Sequence, residues 1–198
     1  HSVNPVVGEC NDATLNRIAE RCVGREQVFA ALAAAAPDFD EGDVGAGKGT
    51  ICHGLKGGIG SASRVLEYDG RIYTMGLLVQ SNHGVLSDLT VCGRRIGPAL
   101  AQRLETRKAD QGSILAVLAT DLPLDARQLG RVAQRISVGL ARMGSYVGHG
   151  SGEVFLGFST TNRVPHESAR AVLPCTVLHE GRIDAVFRAM GEATEEAV

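Results

Sequence analysis

The chain has 198 residues, 44% of them hydrophobic and 21% charged, which is the size and composition of one globular domain or of a large piece of a bigger one. A net charge of −2 without a basic cluster excludes nucleic acid as a partner on electrostatic grounds, and no apolar run is long enough to span a membrane. Five widely spaced cysteines without a CxxC pair predict reduced, mostly buried thiols in a reducing compartment, the cytoplasm.

The first half of the chain predicts two helices, a loop region and a hairpin. The predicted elements are helices over residues 14–21 and 26–36, a glycine-dense loop over 38–60, and strands over 63–68, 71–79 and 88–92. Asp69-Gly70, between the two longer strands, favours a tight turn with positive φ at both residues. Residues 80–84 form a polar break, and residues 96–107 are expected to be a surface connection.

The second half predicts alternating strands and helices. The predicted elements are a strand over residues 114–119, a helix over 125–143, a strand over 150–159 and a helix over 182–198. The first of these strands is continuously apolar, which is typical of a strand buried on both faces. The fold class is therefore mixed α/β, with sheets covered by helices. The last helix stops at Val198 without a capping glycine, so we expect the chain to be a fragment.

The glycine-rich segment over residues 42–50, GDVGAGKGT, looks at first like a phosphate-binding loop. That motif needs Ser or Thr directly after Gly-Lys, and here Gly49 separates Lys48 from Thr50. No apolar strand precedes the segment either. The glycines here and in residues 54–61 are therefore interpreted as structural, with ligand binding as the alternative.

Gly112-Ser113 lies between a charged run and the apolar strand. A serine at the start of a buried strand is a poor choice for packing, but it suits a nucleophile that becomes a new chain N-terminus when the preceding peptide bond is cut. The alternative is that residues 111–113 form only a polar turn.

Four further polar residues are candidates for a site with Ser113. Asn82 either forms a turn at a strand end or donates its amide to a developing oxyanion. Ser151 and Glu153 are two residues apart, so on a strand they share a face. There they either form a catalytic relay or are two solvated groups. Glu9 either lies in solvent near a helix cap or pairs with a substrate ammonium. The six histidines show no HxH or HExxH spacing, so no metal site is expected.

Five blocks of sequence occur in the order found in one family. They are PVVGECND (5–12), CHGLKGGIGSASR (52–64), YTMGLLVQSNHG (73–84), GSILAVLATDLPL (112–124) and GSGEVFLGFSTTNR (150–163). With these blocks the chain resembles the L-aminopeptidase/D-esterase-amidase and β-aminopeptidase family, the self-processing serine aminopeptidases of the DmpA type.

The resemblance implies a single domain, a four-layer αββα sandwich similar to N-terminal-nucleophile hydrolases, that cuts itself into residues 1–112 and 113–198. It implies homo-oligomers of the cleaved heterodimers, no metal or other cofactor, and small peptides, amino-acid amides or esters as substrates. The roles it implies are Gly112 and Ser113 as cleavage site, Ser113 as nucleophile, Asn82 as oxyanion donor, Ser151 and Glu153 as activating pair, and Glu9 as binder of the substrate amine. Asn11 stands where some members carry a tyrosine at the substrate pocket, and Cys10 stands where threonine is expected.

Two other functions remain open at this point. An ornithine-acetyltransferase-like acyl transferase shares the self-cleaving chemistry and a related fold, but it uses threonine where this chain has serine. A non-catalytic module could instead bind a ligand with the glycine-rich loops over residues 42–60.

Overall fold

The structure is a computed structural model, and it describes residues 5–104 and 110–198. Within these ranges the fold is mixed α/β, built on one four-stranded sheet with helices packed against one face. The helices are α1 (Arg25–Ala34), α2 (Gly97–Ala101), α3 (Ala126–Ala133), α4 (Ile136–Arg142) and α5 (Asp184–Ala197). The strands are β1 (Ile51–Cys52), β2 (Leu55–Lys56), β3 (Gly58–Tyr68), β4 (Arg71–Asn82), β5 (Thr90–Val91), β6 (Arg94–Arg95), β7 (Ser113–Thr120) and β8 (Gly152–Ser159).

The central sheet has the strand order β3-β4-β7-β8. The pairs β3–β4 and β4–β7 are antiparallel, whereas β7 and β8 are parallel. A parallel pair needs a long crossover connection, and α3 and α4 supply it between the two strands. Seen as layers, the described residues form one sheet and one layer of helices, which is half of the four-layer sandwich that the resemblance implies.

The core lies between this sheet and α3–α5. Along β7 the even-numbered residues Ile114, Ala116 and Leu118 are buried at 1% exposure or less, whereas the odd-numbered ones are half-buried. The prediction that this strand is buried on both faces is therefore wrong for the described residues. Only one face meets the helices, and apolar side chains on the opposite face, such as Leu78 and Val154, remain 41% and 51% exposed.

The predicted hairpin is confirmed and is longer than expected. Tyr68 pairs with Arg71 around the Asp69-Gly70 turn, whose φ angles of 53° and 75° are those of a primed turn. At its other end β4 continues through residues 80–82, which were predicted to break the strand. Their side chains are satisfied inside the fold: Gln80 Nε2 donates to Ala46 O over 2.9 Å.

Three helical predictions need correction. Residues 14–21 form only a short 3₁₀ turn over residues 18–20, because this exposed segment has no buried apolar face to stabilise a helix. The helix predicted over residues 125–143 is divided into α3 and α4, which allows α3 to pack on β8 and α4 to pack on α5. Part of the predicted connection over residues 96–107 is α2, and residues 105–109 lie outside the described ranges.

The prediction of mostly buried thiols is also wrong. Cys10 is buried and Cys52 is partly buried, whereas the other three cysteines, which lie in loops and turns, are exposed. All five are free thiols in the structure. In the described ranges, no helix has the length and apolar character needed to cross a bilayer.

Candidate active site

Ser113, Asn82 and Gly152 lie side by side at one end of the central sheet. Ser113 is the first residue of β7 and pairs with Asn82 on β4 and with Gly152 on β8. Paired residues on neighbouring strands project to the same face, so Ser113 and Asn82 share a face of the sheet. Gly152 adds no side chain there: a Cβ built on it would lie 3.9 Å from the Ser113 Cβ. The register thus leaves space beside the Ser113 hydroxyl.

The peptide bond between Gly112 and Ser113 is held in place by its surroundings. Gly112 O accepts a hydrogen bond from Gly152 N over 3.1 Å, and Gly112 N donates to Asp110 Oδ1 over 3.3 Å. A side chain at position 112 would overlap the carbonyl oxygen of Asn82, so only glycine fits. A glycine before the serine is therefore required by packing.

Asp110 is a site residue that the sequence reasoning missed. Its side chain is 5% exposed, and its Oδ1 accepts from Gly84 N as well as from Gly112 N, over 3.0 and 3.3 Å. The carboxylate therefore joins the segment after β4 to the segment before β7. Its place at the end of a charged run gave no signal in the sequence, because both of its partners are backbone amides.

Asn82 does not form the local turn that was one interpretation of its sequence. Its Oδ1 accepts from Ile51 N over 2.9 Å, and its Nδ2 donates to Asn11 O over 3.0 Å. An amide nitrogen has two donor hydrogens, and only one is used by Asn11. Within the described ranges, Asn11 O is the one acceptor that this nitrogen contacts.

The segment that carries Glu9 crosses the same face of the sheet. Gly8 packs directly on Leu115, and the buried Cys10 thiol lies 3.6 Å from Gln80 O. Burial raises the pKa of this thiol, so it stays protonated at neutral pH. Glu9 and Asn11 are exposed, and a cavity of about 280 Å³ lies between Asn11, Ala13, Thr14 and Gln111. The fold therefore brings both predicted substrate-binding residues to the Ser113 end of the sheet.

Ser151 and Glu153 flank Gly152, the first residue of β8. Glu153 pairs with Ile114, so in a regular ladder its side chain starts on the face opposite to Ser113. Three buried atoms, Ser113 Oγ, Ser151 Oγ and Glu153 Oε1, make no hydrogen bond within the part of the chain that the structure describes. The predicted relay is therefore not formed here, although its three members lie on adjoining strand ends.

The ionisable groups beside Asn82 are buried and neutral. Burial lowers the pKa of His83 to about 4 and raises the pKa of the Cys52 thiol to about 11. At neutral pH the site therefore holds an uncharged imidazole and an uncharged thiol next to its amide donor.

Comparison with known proteins gives one consistent result. The whole chain, residues 1–198, matches the profile of Peptidase family S58. It is 39% identical to the β-peptidyl aminopeptidase BapA of Sphingosinicella microcystinivorans, over 98% of this chain and 53% of that protein.

Two solved structures have the same fold. The PH0078 protein of Pyrococcus horikoshii OT3 superposes on all of this chain and on 54% of its own, with a TM-score of 0.91 and 47% identity. The L-aminopeptidase D-Ala-esterase/amidase of Ochrobactrum anthropi, a new variant of the Ntn hydrolase fold, gives a TM-score of 0.86 at 40% identity over 94% of this chain and 51% of its own. The chain spans about half the length of each of these relatives, and its α/β fold is that of the Ntn hydrolase variant.

Proposed function

Because the chain belongs to peptidase family S58, we propose that it carries the nucleophile of a self-processing serine aminopeptidase. Such an enzyme removes N-terminal residues from peptides, amides or esters. The observation that supports this most directly is the row of Gly152, Ser113 and Asn82 across three strands. In this row the Ser113 hydroxyl lies between the backbone amide of Gly152 and the side-chain amide of Asn82. It has no hydrogen-bond partner of regular geometry among the described residues.

In the first step the chain cuts itself before Ser113. The Ser113 hydroxyl attacks the carbonyl carbon of Gly112, the bond from that carbon to the Ser113 nitrogen breaks, and the hydroxyl proton passes to the nitrogen. Water then hydrolyses the resulting ester, which leaves a carboxylate on Gly112 and restores the Ser113 hydroxyl. The hydrogen bond from Gly152 N to Gly112 O supports this step, because it polarises the carbonyl that is attacked.

The second step is hydrolysis of a substrate. The new α-amine of Ser113 has a reference pKa of about 7.7–8.0, so near neutral pH a substantial part of it is free to accept the hydroxyl proton. Ser113 attacks the substrate carbonyl, and the free hydrogen of Asn82 Nδ2 binds the oxyanion. Ser151 and Glu153 are assigned to orienting the hydroxyl, which requires a backbone shift at the start of β8 as well as side-chain rotation, because Glu153 starts on the opposite face.

Substrate selection is assigned to Glu9 and Asn11. A carboxylate at the rim of the site pairs with a free ammonium group, which restricts the reaction to the first residue of a chain. This agrees with the relative named as a β-peptidyl aminopeptidase, whose substrates carry such a group. Asn11 lines the cavity beside Gln111 and contributes to the choice of substrate side chain.

N-terminal sequencing of the purified protein tests the proposal. A second N-terminus that begins Ser-Ile-Leu, residues 113–115, is expected in an amount equal to the first. Hydrolysis of an aminoacyl p-nitroanilide should accompany it, and the N-acetylated compound should react far more slowly. An uncut chain with full activity would refute the scheme, whereas acetyl transfer from acetylornithine to glutamate would favour the acyl-transferase alternative.

The proposed assembly is a homo-oligomer in which residues 1–112 and 113–198 stay together after cleavage. Light scattering coupled to gel filtration tests it, since the two pieces should elute in one peak of at least twice the mass of the uncut chain. Two separate peaks under native conditions would contradict it.

A further inference from the structure

Two histidines and a cysteine outside the proposed catalytic set meet at the end of β4. Cys52 is the last residue of β1, His53 begins the turn after it, and His83 directly follows Asn82, the last residue of β4. The ligand-capable atoms of the three side chains all lie within 4.8 Å of one another. Cys52 Sγ is 4.0 Å from His83 Nδ1, and the two imidazole rings meet edge to face with centroids 5.3 Å apart.

The backbone holds the two histidines next to each other. His53 N donates to His83 O over 2.7 Å, which joins the turn to the end of the strand. A side chain on Gly84 would overlap the His53 ring, so the glycine leaves the space that the ring occupies. His53 itself has a φ of 48°, in the left-handed region that glycine and asparagine prefer, and it is 1% exposed. This φ is the one that the two-residue turn His53-Gly54 between β1 and β2 requires, since Gly54 has a φ of 73°.

The His53 imidazole is oriented as that of a metal-binding histidine is, and His83 turns its Nδ1 toward Cys52 Sγ. His53 Nδ1 lies 3.1 Å from Val85 O and donates its hydrogen there, so the lone pair is on Nε2. The Nε2 atoms of His53 and His83 are buried and have no hydrogen-bond partner among the residues that the structure describes. Buried polar atoms rarely stay unpaired, so these two atoms indicate a missing partner.

The charges around the cluster suit a divalent cation. Asp110 accepts from Gly84 N, one residue from His83, and its Oδ2 is buried without a partner in the described ranges. The Cys52 thiolate and the Asp110 carboxylate together balance two positive charges. One thiolate with two imidazoles is a donor set that zinc prefers, because it combines a soft ligand with two borderline ones.

We propose that Cys52, His53 and His83 form a buried Zn²⁺ site that ties the turn after β1 to the end of β4. Zinc bonds of about 2.0–2.3 Å place tetrahedral ligand atoms roughly 3.3–3.8 Å apart, so the cluster has to contract by about 1 Å. Binding replaces the S–H bond of Cys52 by a Zn–S bond and releases one proton to solvent. The spacing of histidines along the sequence predicts no such site, because the ligands come from two segments that only the fold brings together.

Cobalt(II) titration of the metal-free protein tests the proposal without any substrate. The background is the full chain with the exposed cysteines removed, as Cys22→Ser, Cys92→Ser and Cys175→Ser. We expect one Co²⁺ per chain, a thiolate-to-cobalt charge-transfer band in the near ultraviolet and tetrahedral d–d bands in the visible, all abolished by stoichiometric Zn²⁺. Calorimetry in two buffers should show release of one proton per Zn²⁺.

The variants separate the proposed ligands from other groups. Cys52→Ser should remove the charge-transfer band and weaken Zn²⁺ binding at least 10-fold. His83→Gln should also weaken Zn²⁺ binding at least 10-fold. His53→Asn is the third ligand variant, since asparagine tolerates the left-handed backbone. Cys10→Ser is the matched control: it removes the other buried thiol, which contacts Gln80 O, and should leave the band unchanged.

Two outcomes would overturn the proposal. One is the absence of a charge-transfer band in the background protein at saturating Co²⁺, which decides the matter even if a ligand variant fails to fold. The other is a band that persists in Cys52→Ser. The first result would identify Cys52 and His83 as a thiol–imidazole pair without a metal, and the second would place the cobalt on the remaining thiol, Cys10.

Discussion

Asn82 and Ser113 form the last residue pair of the ladder between the two central strands β4 and β7. The side-chain amide is fixed from two sides, by Ile51 N and by Asn11 O, whereas the serine hydroxyl lies beside the Cys10 thiol and makes no hydrogen bond of regular geometry to any described residue. A rigid donor beside a free hydroxyl is the arrangement that acyl-transfer chemistry needs, because the donor does not reorganise when negative charge develops.

Replacement of the nucleophile should prevent both reactions. Ser113→Ala is expected to remain a single chain in intact-mass measurements under denaturing conditions, while the wild type gives two pieces divided between Gly112 and Ser113. Hydrolysis should fall by about 10⁴–10⁶-fold, as in other serine hydrolases that lose their nucleophile. Ser63→Ala, an exposed serine on β3, is the control and should cleave normally. Cleavage of Ser113→Ala at the same bond would contradict the assignment.

Gly112→Ala should block self-cleavage and destabilise the fold. The added Cβ overlaps Asn82 O, so the peptide bond has to move away from Gly152 N. The measurements are intact mass over time and thermal unfolding. Gly130→Ala is the matched control, since its Cβ meets open space within α3 and should stabilise by about 0.4–1 kcal/mol. Wild-type cleavage kinetics in Gly112→Ala would count against the tight packing at this bond.

Asn82→Asp should lower kcat by about 10²–10³-fold with a smaller effect on KM. Aspartate keeps the acceptor for Ile51 N but loses the donor hydrogens. Asn162→Asp is the control, because this amide also accepts a backbone hydrogen bond, from Thr176 N, and donates to backbone carbonyl oxygens, those of Thr176 and Leu124. It should lose stability without loss of kcat. Steady-state kinetics and thermal unfolding of both variants separate the two effects, and a kcat near that of the wild type in Asn82→Asp would remove this residue from the mechanism.

Glu9→Gln should raise KM about 10–100-fold for substrates with a free amine, since a charge-assisted hydrogen bond contributes roughly 1.5–3 kcal/mol. Esters with a blocked amine should be unaffected. Glu26→Gln, an exposed acid on α1, is the control. The comparison uses kcat and KM for one free and one acetylated ester, and an equal change for both substrates would exclude recognition of the ammonium group.

Ser151→Ala should lose activity and gain stability. The buried Ser151 Oγ has no partner among the described residues, and an unpaired buried hydroxyl costs about 1–3 kcal/mol. Ser81→Ala is the matched control, because its hydroxyl exchanges hydrogen bonds with Gly58 in the β3–β4 pair and its loss should destabilise. Denaturant unfolding gives both changes in free energy. A destabilised Ser151→Ala would mean that this hydroxyl is satisfied in solution.

The secondary structure of the sheet was largely predictable. Alternation and the Asp69-Gly70 turn indicated the hairpin, and the apolar run after Ser113 indicated β7. The extension of β4 to Asn82 was not predictable from propensity, because polar residues there are stabilised by partners far along the chain, such as Ala46 for Gln80. The break between α3 and α4 likewise depends on which neighbour each helix packs against.

The sequence by itself determined the family, through five ordered blocks. It also made Ser113 the candidate nucleophile, because a glycine and a serine at the start of an apolar strand are a poor choice for packing. Only the tertiary structure decided what surrounds that serine: Asn82 beside it, Gly152 N on the preceding carbonyl, and Asp110 between two backbone amides. The reason is physical. Local patterns record the conformation and burial of a segment, whereas strand register and buried hydrogen-bond partners depend on segments that meet only when the chain is folded.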